Sequence, residues 1–351
     1  MYPPETIEVL ETHQFDVDAL ARYLRGRIAG AEPPFMVRQF RGGQSNPTYY
    51  LESGASPGLT GQRLVLRRKP PGQLLPSAHA IEREFQVMSA LRDSGIPVPN
   101  THLLCEDANV IGTPFFVMEY VDGHPMSDAT LPHRSPEDRR AIYRSMIEVL
   151  ARLHGVDWRA VGLDEYGKPS NYVARQVRRW TAQYRASETE RIEAMERLIE
   201  WLPAHIPQDE SAAIVHGDYR PGNLLLHPTN PKVAAVIDWE LSTIGHPLVD
   251  LGHHVLLFRT GPEDFGAFAD RPRPAGIPSE DEHLDSYCRI TGRSSLPDWE
   301  FYVAFAMFRF AAIFQGIMGR VVAGTANDPD ARHAGARARP LAERACALLE
   351  L

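Results

Sequence analysis

Residues 212–240 place three polar side chains at fixed intervals between short β-forming runs. The sequence reads AAIVHGDYRPGNLLLH, and VAAVIDWE follows after a gap of five residues. Asn223 follows Asp218 by five positions, and Asp238 follows Asn223 by fifteen. A turn between short strands puts the first two at one end of a β island, and Asp238 ends the next strand beside them. The spacing therefore predicts that two carboxylates and one amide converge.

This set of side chains suits phosphoryl transfer. The reaction needs a group that orients the acceptor hydroxyl, and oxygen ligands for the Mg²⁺ that bridges the nucleotide phosphates. Two carboxylates and one amide supply groups of these kinds. The alternative is that both aspartates are turn and capping residues, as most loop aspartates are. The combined spacing and flanking strands favour phosphoryl transfer.

The N-terminal third carries two different patterns. Asp16 is placed to cap a helix that Gly30 would stop, so residues 1–30 are expected to form a flanking helix. Residues 31–120 then alternate β-forming runs with turns and one helical pattern. The expected strands are 35–40, 48–52, 63–69, 101–105 and 115–121, and the expected helix is 79–92. These elements predict a lobe with a five-stranded antiparallel sheet and one helix.

Residues 121–351 are mainly helical in pattern, which makes the expected fold a two-lobed α+β architecture. A polar, turn-rich connection leads to Ser135-Pro136, which opens a helix as an N-cap followed by proline. Further helical patterns are 170–202, 246–258, 281–291, 298–322 and 340–350. The segment 301–318 is barely long enough to span a bilayer and carries Arg309 in its middle, so a buried helix is expected and no membrane span.

Charge and cysteine content narrow the functional classes. The net charge of −8 gives no overall basic surface for non-specific binding of nucleic acid, so no nucleic-acid partner is expected. The three cysteines are far apart, which fits a reducing cytosol. The N-terminus is acidic where a signal peptide needs a basic region, and a cytoplasmic location is expected. The sequence contains no G-x-S-x-G, P-loop or H-E-x-x-H motif, so it lacks the defining parts of a hydrolase of that type, a P-loop ATPase and a zinc site.

The motif and its setting resemble the aminoglycoside phosphotransferase and choline kinase-like branch of the protein-kinase fold, over nearly the whole chain. The resemblance implies an ATP-dependent kinase with Asp218 as catalytic base and Asn223 and Asp238 as Mg²⁺ ligands. Gly217 stands where regulated protein kinases have arginine, so control by activation-loop phosphorylation is not expected. Arg220, two positions after the proposed base, is expected to stabilise charge on the transferring phosphate; the alternative is a surface arginine that supports the loop.

The resemblance also suggests nucleotide-binding residues in the N-terminal lobe. The turn Arg41–Asn46 is expected to drape backbone N–H groups over the phosphates, with Ser45 and Asn46 as candidates, although an ordinary hairpin turn would look the same. Arg67 occupies the position of the phosphate-binding lysine, with Lys69 as a competitor on the same strand face.

Two further predictions concern other residues around the nucleotide. Glu84 is the favoured acidic partner of Arg67, and Glu82 is the other candidate; a solvated surface glutamate is the alternative. Met118-Glu119-Tyr120-Val121 is expected to be the hinge whose backbone binds adenine, and Glu119 and Val121 are the candidate contacts. Phe116 is expected to help enclose the base. His246-Pro247-Leu248-Val249-Asp250 resembles the family segment whose aspartate braces the catalytic loop.

A more specific resemblance is to the kinase-like domains related to the N-terminal part of acyl-CoA dehydrogenase family members ten and eleven. It is carried by LVLRRKPPGQLLPSAHAIEREF, HGDYRPGNLLLHPTNPKVAAVIDWE and FYVAFAMFRFAAIFQGIMGRVVAG. It implies a hydroxylated acyl-CoA as a candidate acceptor and a functional link to an acyl-CoA dehydrogenase. Five arginines and two acids between 309 and 339 suit an anionic acceptor, with Arg309 and Arg320 as candidate contacts, unless this is simply a solvated surface.

Two alternative functions stay open. One is a pseudokinase, a nucleotide-binding interaction module that does not transfer phosphate, which the missing lysine at position 67 favours. The other is a kinase for aminoglycosides or choline, the acceptors named by the broader resemblance.

Overall fold

The computed structural model divides the chain into two units, and the first unit is built around an antiparallel sheet. The units are Met1–Gly123 with Ala234–Glu240, and His124–Val233 with Leu241–Leu351. The structure describes all residues except 1, 2, 4, 42–45, 55–60, 73–79, 263–265, 270 and 327. The α+β fold class predicted from the sequence is confirmed.

Among the described residues, the sheet of the first unit has six strands in the order β1-β2-β3-β4-β6-β5. Its elements are β1 Thr6–Ile7, α1 Val17–Leu24, β2 Phe35–Phe40, β3 Thr48–Ser53, β4 Arg63–Arg68, α2 Ile81–Leu91, β5 Thr101–Cys105 and β6 Phe115–Glu119. The expected count of five strands was wrong, because β1 is only two residues long and pairs with the end of β2. A strand this short leaves no alternation to detect in the sequence.

The flanking helix forms where its cap predicted. The Asp16 carboxylate accepts a hydrogen bond from the Ala19 N–H at 2.8 Å. The helix ends at Leu24, earlier than the expected stop at Gly30. Leu20 and Leu24 are fully buried and belong to the same core cluster as residues of the sheet.

Strand register places Arg67 on the opposite sheet face from the main core of this unit. Leu64 and Leu66 of β4 are fully buried in the cluster that includes α1. Because side chains alternate along a strand, Arg67 projects from the other face. Arg67 pairs in register with Thr48 on β3 and Phe116 on β6, so two neighbouring strands fix its position.

The second unit is mainly helical with short strand pairs. Its elements begin with β7 His124–Pro125, α3 Pro136–Gly155, α4 Tyr172–Ala186, α5 Glu193–Ala204, β8 Ala213–Val215 and β9 Leu224–Leu226. Strand β10, Val233–Val236, crosses the sequence boundary between the units. The chain continues with β11 Thr243–Gly245, α6 Pro247–Arg259, α7 Glu280–Thr291, α8 Trp299–Val322, α9 Ala331–Gly335 and α10 Ala338–Leu348. Strand β8 pairs with β11, and β9 pairs with β7.

The helical pattern expected over 170–202 is divided into two helices, α4 and α5. Helix α4 ends before Ser187, whose hydroxyl donates to the Gln183 carbonyl at 2.9 Å. Serine side chains compete in this way with the backbone hydrogen bonds that would continue a helix. The break lets α5 pack beside α10 while α4 packs against α8.

Helix α8 is the core helix of the second unit. By length and composition it would be long enough to cross a bilayer, and 72% of its most apolar window is buried inside the protein. Helices α4, α6 and α10 surround it. This enclosure favours the buried core helix expected from the sequence.

Candidate active site

A glycine shapes the turn that carries Asp218. Gly217 has φ +80°, and a Cβ atom at this position would lie 2.6 Å from the Leu241 carbonyl oxygen. An arginine, or any side chain, would therefore collide with backbone and also strain the left-handed conformation. The departure from the protein-kinase pattern at this position has a steric cause.

Asp250 braces the backbone of the turn, as the family resemblance implied. Its carboxylate accepts from the His216 N–H at 2.6 Å and from the Gly217 N–H at 2.9 Å. Burial opposes ionisation, but the hydrogen bond from His154 outweighs it and lowers the pKa of Asp250 to about 2. A buried, ionised carboxylate thus fixes two consecutive N–H groups directly before Asp218.

Three side chains donate to the Asp218 carboxylate. Asn223 Nδ2 lies 2.7 Å and Arg220 Nε 3.1 Å from Oδ2. His253 Nε2 lies 3.2 Å from Oδ1. Burial alone would raise the pKa of Asp218, but the hydrogen bond from His253 and the charge of Arg220 lower it well below the ordinary range. Asp218 is therefore an ionised, acceptor-only group.

Asn223 closes the turn through its amide nitrogen. Nδ2 also donates to the Asp218 backbone carbonyl at 2.9 Å. Neither of these two hydrogen bonds uses the amide oxygen of Asn223, and oxygen is the atom that Mg²⁺ prefers as a ligand. The side chain of Arg220 is about half exposed (47%), so it can reach a bound anion without leaving a buried position.

The structure places Arg309 behind the turn instead of on an open acceptor surface. Its Nη2 donates to the Gly217 carbonyl at 2.7 Å, and its guanidinium lies over the Trp180 ring at 5.1 Å. The residue is only 8% exposed. This placement favours a structural role, in which Arg309 holds the turn. It does not favour the acceptor contact that was expected from the sequence. Arg320 lies exposed near the end of α8.

In the first unit, Arg67 forms the centre of a charged cluster. Its Nε lies 3.0 Å from Glu84, its Nη2 2.8 Å from Asp238 Oδ1, and Glu240 is 3.7 Å away. Lys69, the competing candidate, pairs with Glu82 instead. The expected pairing of Arg67 with Glu84 is therefore present.

Burial and the neighbouring charges shift the pKa values of Arg67 and Glu84. Burial opposes the charge of Arg67, but Glu84, Asp238 and Glu240 raise its pKa above the ordinary value. Burial also raises the pKa of Glu84 to about 7, although Arg67 opposes that shift. The guanidinium consequently stays charged.

Asp238 sits in a strained backbone conformation. Its φ is +68°, in the left-handed region that non-glycine residues rarely adopt. Trp239 beside it is fully buried, and its indole N–H donates to the Val236 carbonyl at 3.0 Å. The Asp238 side chain is 33% exposed, so this anchored turn presents a carboxylate at a surface.

The remaining nucleotide candidates are placed differently. Ser45 lies outside the described residues. Asn46 is fully buried, and its amide donates to Glu84 at 3.3 Å, which ties it to the Arg67 cluster. The backbone N–H of Glu119 donates to the Asn100 carbonyl at 2.8 Å, and Val121 is partly buried. Phe116 is fully buried.

A cavity of about 690 Å³ opens beside the Asp218 turn, within the second unit. Arg220 and His253 lie on its wall. Among the described residues its lining is otherwise mostly apolar and includes Met126, Ala129, Leu256, Leu257, Pro262, Ala267, Phe268, Pro272 and Pro274. His253 was not among the site residues expected from the sequence. The spacing of three from Asp250 to His253 on one helix was the available signal.

Among the described residues, no group of three or more His, Cys, Asp or Glu side chains could hold a metal. The magnesium candidates are of another kind, because Asn223 supplies an amide oxygen and Asp238 a single carboxylate. Both are the hard oxygen donors that Mg²⁺ takes, usually together with substrate phosphates and water. The donor chemistry therefore fits the ion.

The sequence matches the model of the phosphotransferase enzyme family over residues 36–283. The chain belongs to this family. A crystal structure described as a candidate aminoglycoside phosphotransferase from Ralstonia eutropha is 48% identical, with a TM-score of 0.86, covering 96% of this chain and 99% of that one. Choline kinase from Cryptosporidium parvum shares the fold, with a TM-score of 0.65 at 14% identity, covering 95% of this chain and 97% of that one.

Curated relatives carry the same region within longer proteins. Acyl-CoA dehydrogenase family member 10 of Mus musculus is 46% identical over 97% of this chain and 32% of its own length. Acyl-CoA dehydrogenase family member 11 of Homo sapiens is 43% identical over 96% of this chain and 43% of its own length. The chain thus spans less than half the length of these relatives, and its predicted similarity to them is confirmed.

Proposed function

We propose that this protein is an ATP-dependent small-molecule kinase that phosphorylates an alcohol, with Asp218 as the catalytic base. The observation that carries the proposal is the ionised, partly buried Asp218 carboxylate on a turn fixed by Asp250, beside a cavity large enough for a small molecule. A base that only accepts hydrogen bonds can orient an acceptor hydroxyl and take its proton.

The proposed reaction balances with the residues at hand. The acceptor oxygen attacks the γ-phosphorus of ATP, the bond to the β-phosphate oxygen breaks, and ADP leaves. The hydroxyl proton passes to Asp218. Arg220, half exposed beside that carboxylate, stabilises negative charge on the transferring group.

The nucleotide side of the proposal rests on Arg67, with Glu84 as its support. Arg67 carries a fixed positive charge and five N–H donors, which suit phosphate oxygens. Asn223 and Asp238 are the proposed Mg²⁺ ligands, and the ion, when bound, neutralises phosphate oxygens. Glu119 and Val121 are retained as proposed backbone contacts for adenine, and Asn46 as a support for Glu84.

For the acceptor we propose a hydroxyacyl-CoA, which would link the protein to acyl-CoA dehydrogenase chemistry in the cytoplasm. The curated relatives named above support this choice, since they are named as acyl-CoA dehydrogenase family members. The cavity supports it chemically: among its described lining residues Asp128 is the one carboxylate, whereas Arg220 and Arg271 are cations. Cationic acceptors such as choline and aminoglycosides would find little opposite charge there.

The test is ADP release across an acceptor panel. The panel contains hydroxyacyl-CoA thioesters that differ in hydroxyl position, with choline and kanamycin for comparison. Mass spectrometry of each product should find one added phosphoryl group on a thioester. Turnover of choline or kanamycin with none of the thioesters would overturn the acceptor assignment and leave the kinase assignment in place.

One observation favours the second candidate, a nucleotide-binding module without transfer. Arg67 replaces the expected lysine and already pairs with Asp238, one of the proposed metal ligands. If that pair persisted with nucleotide bound, magnesium would lose a ligand. Magnesium-dependent ATP binding with no ADP formed across the whole panel would select this function over the kinase.

A further inference from the structure

His253 lies on α6, three residues after Asp250. The two residues hold different parts of the turn that carries Asp218. Asp250 accepts from the backbone N–H groups of His216 and Gly217. His253 instead contacts the Asp218 side chain, with Nε2 3.2 Å from Oδ1. A single helix face therefore fixes both the backbone that precedes Asp218 and the carboxylate itself.

The surroundings of His253 determine its protonation. A carboxylate can only accept, so the ring must carry its proton on Nε2. Nδ1 is buried and, within the described part of the chain, has no hydrogen-bond partner. A second proton there would leave a buried N–H unsatisfied, and the ring, only 4% exposed, packs against Phe310 with 4.9 Å between ring centroids. Burial also lowers the pKa of His253.

The donors are distributed unequally between the two carboxylate oxygens of Asp218. Oδ2 receives both Asn223 Nδ2 and Arg220 Nε. Oδ1 receives His253 Nε2. Each carboxylate oxygen offers about two lone-pair sites, so the contacts among the described residues fill Oδ2 and leave one site on Oδ1.

We propose that neutral His253 is a positioning residue that fixes Asp218 so that Oδ1 receives the acceptor hydroxyl. His253 neither gives nor takes a proton in the reaction, because its Nε2 proton stays in the bond to Oδ1 and the acceptor proton occupies the free site of the same oxygen. His253 also lies on the cavity wall, so the acceptor approaches past this ring. The inference rests on the proposed kinase function.

Variants of His253 separate positioning from a purely structural role. His253→Leu removes the donor, and His253→Gln keeps an N–H close to the place of Nε2. With the hydroxyacyl-CoA that releases most ADP, kcat of His253→Leu should fall on the order of 10- to 100-fold, the effect of losing one hydrogen bond to a charged group, with KM for ATP little changed. His253→Gln should recover a large part of kcat.

His283→Leu is the matched control. His283 is also a buried histidine near α6, and it contacts His254 at 3.0 Å instead of Asp218. It should lose thermal stability with kcat near the wild-type value. Equal kcat losses in His253→Leu and His283→Leu, or a His253→Gln protein no better than His253→Leu, would overturn the positioning role.

A second measurement does not depend on turnover. In protein with nitrogen-15-labelled histidine at neutral pH, the signal absent from His253→Gln should report a protonated Nε2 and an unprotonated Nδ1. That Nε2 signal should shift in Asp218→Ala. An imidazolium, a proton on Nδ1, or no response to Asp218→Ala would overturn the inference. If no acceptor is phosphorylated, the proposed function fails, and these spectra still decide whether His253 holds Asp218.

Discussion

The Arg67 guanidinium is bonded to Asp238 across 171 positions of sequence, with 2.8 Å between Nη2 and Oδ1. The same side chain pairs with the buried Glu84 through Nε. Arg67 thereby connects a helix-borne carboxylate to the strained turn at Asp238, where φ is +68°. A lysine has a single ammonium group and lacks the planar fork that lets arginine hold two partners in fixed directions.

Replacing Arg67 should therefore affect both stability and nucleotide binding. Arg67→Ala leaves Glu84 buried without its cation, which should lower the free energy of unfolding by about 3–5 kcal/mol. Arg67→Lys keeps the charge and should cost less on both counts. Urea denaturation and calorimetric titration with Mg-ATP measure the two effects. Unchanged ATP affinity in a folded Arg67→Ala protein would contradict the phosphate-binding role.

Local spacing carried most of what was predictable about the second unit. The turn at Asp218 and Asn223 is closed by contacts between residues no more than five positions apart. Short sequence patterns can predict contacts of this kind. The partner of Arg67 on α2 was also predictable, because the family resemblance indicated which glutamate to choose. In the first case a single turn defines the geometry. The pair of Arg67 and Glu84 instead joins β4 to α2 in the first unit, and its prediction depended on the resemblance.

Contacts between distant elements were not predictable in the same way. An arginine in an apolar helix must reach some partner, but the sequence does not say that Arg309 reaches the Gly217 carbonyl 92 positions away. His253 was missed for the same reason, since helical periodicity gives a face and not what that face meets. Strand β1 was missed because two residues carry no periodicity.

Asp218→Ala should abolish most phosphoryl transfer while leaving the fold and much of the ATP affinity intact. The carboxylate is proposed to orient the acceptor, and its contacts are confined to side chains around the turn. ADP release and calorimetric binding of Mg-ATP measure the two properties separately. A protein that turns over near the wild-type rate would exclude Asp218 as the base.

Asp238→Ala should differ by weakening nucleotide binding as well as rate. Asp238 is proposed to ligate Mg²⁺, so its removal should reduce affinity for Mg-ATP much more than affinity for ATP measured with EDTA. Titrations under both conditions provide the comparison, with Asp218→Ala as the control. Equal Mg-ATP affinity in wild type and Asp238→Ala would argue against the metal assignment.

Arg220→Ala should act mainly on kcat. The side chain is half exposed and bonds to Asp218 at 3.1 Å, so its loss removes a charge next to the base without opening the core. We expect kcat to fall on the order of 10² with a smaller change in KM for ATP. The kcat of Arg220→Lys, which retains the charge, should lie between the values of wild type and Arg220→Ala. An unchanged kcat, measured where chemistry limits the rate, would defeat the electrostatic role.

The histidines buried around α6 should make the protein unstable in mild acid. Burial lowers the pKa of His254 to about 4, and it lowers the pKa of its partner His283 well below the ordinary value. Unfolded histidines bind protons below a pH of about 6.5, so the unfolded state binds more protons between that pH and about 4. The free energy of unfolding should therefore fall as the pH falls through this window.

The magnitude and the source of this pH dependence can be separated by mutation. A shift of the size given for His254 corresponds to a loss of about 3 kcal/mol at the acid end of the window. Urea midpoints measured from neutral pH down to mild acid should trace the fall in wild type. A double variant with His254→Leu and His283→Leu removes both titrating groups, so its stability should depend less on pH, whatever its absolute value. A slope as steep as that of wild type would assign the acid sensitivity to other groups, because neither leucine can bind a proton.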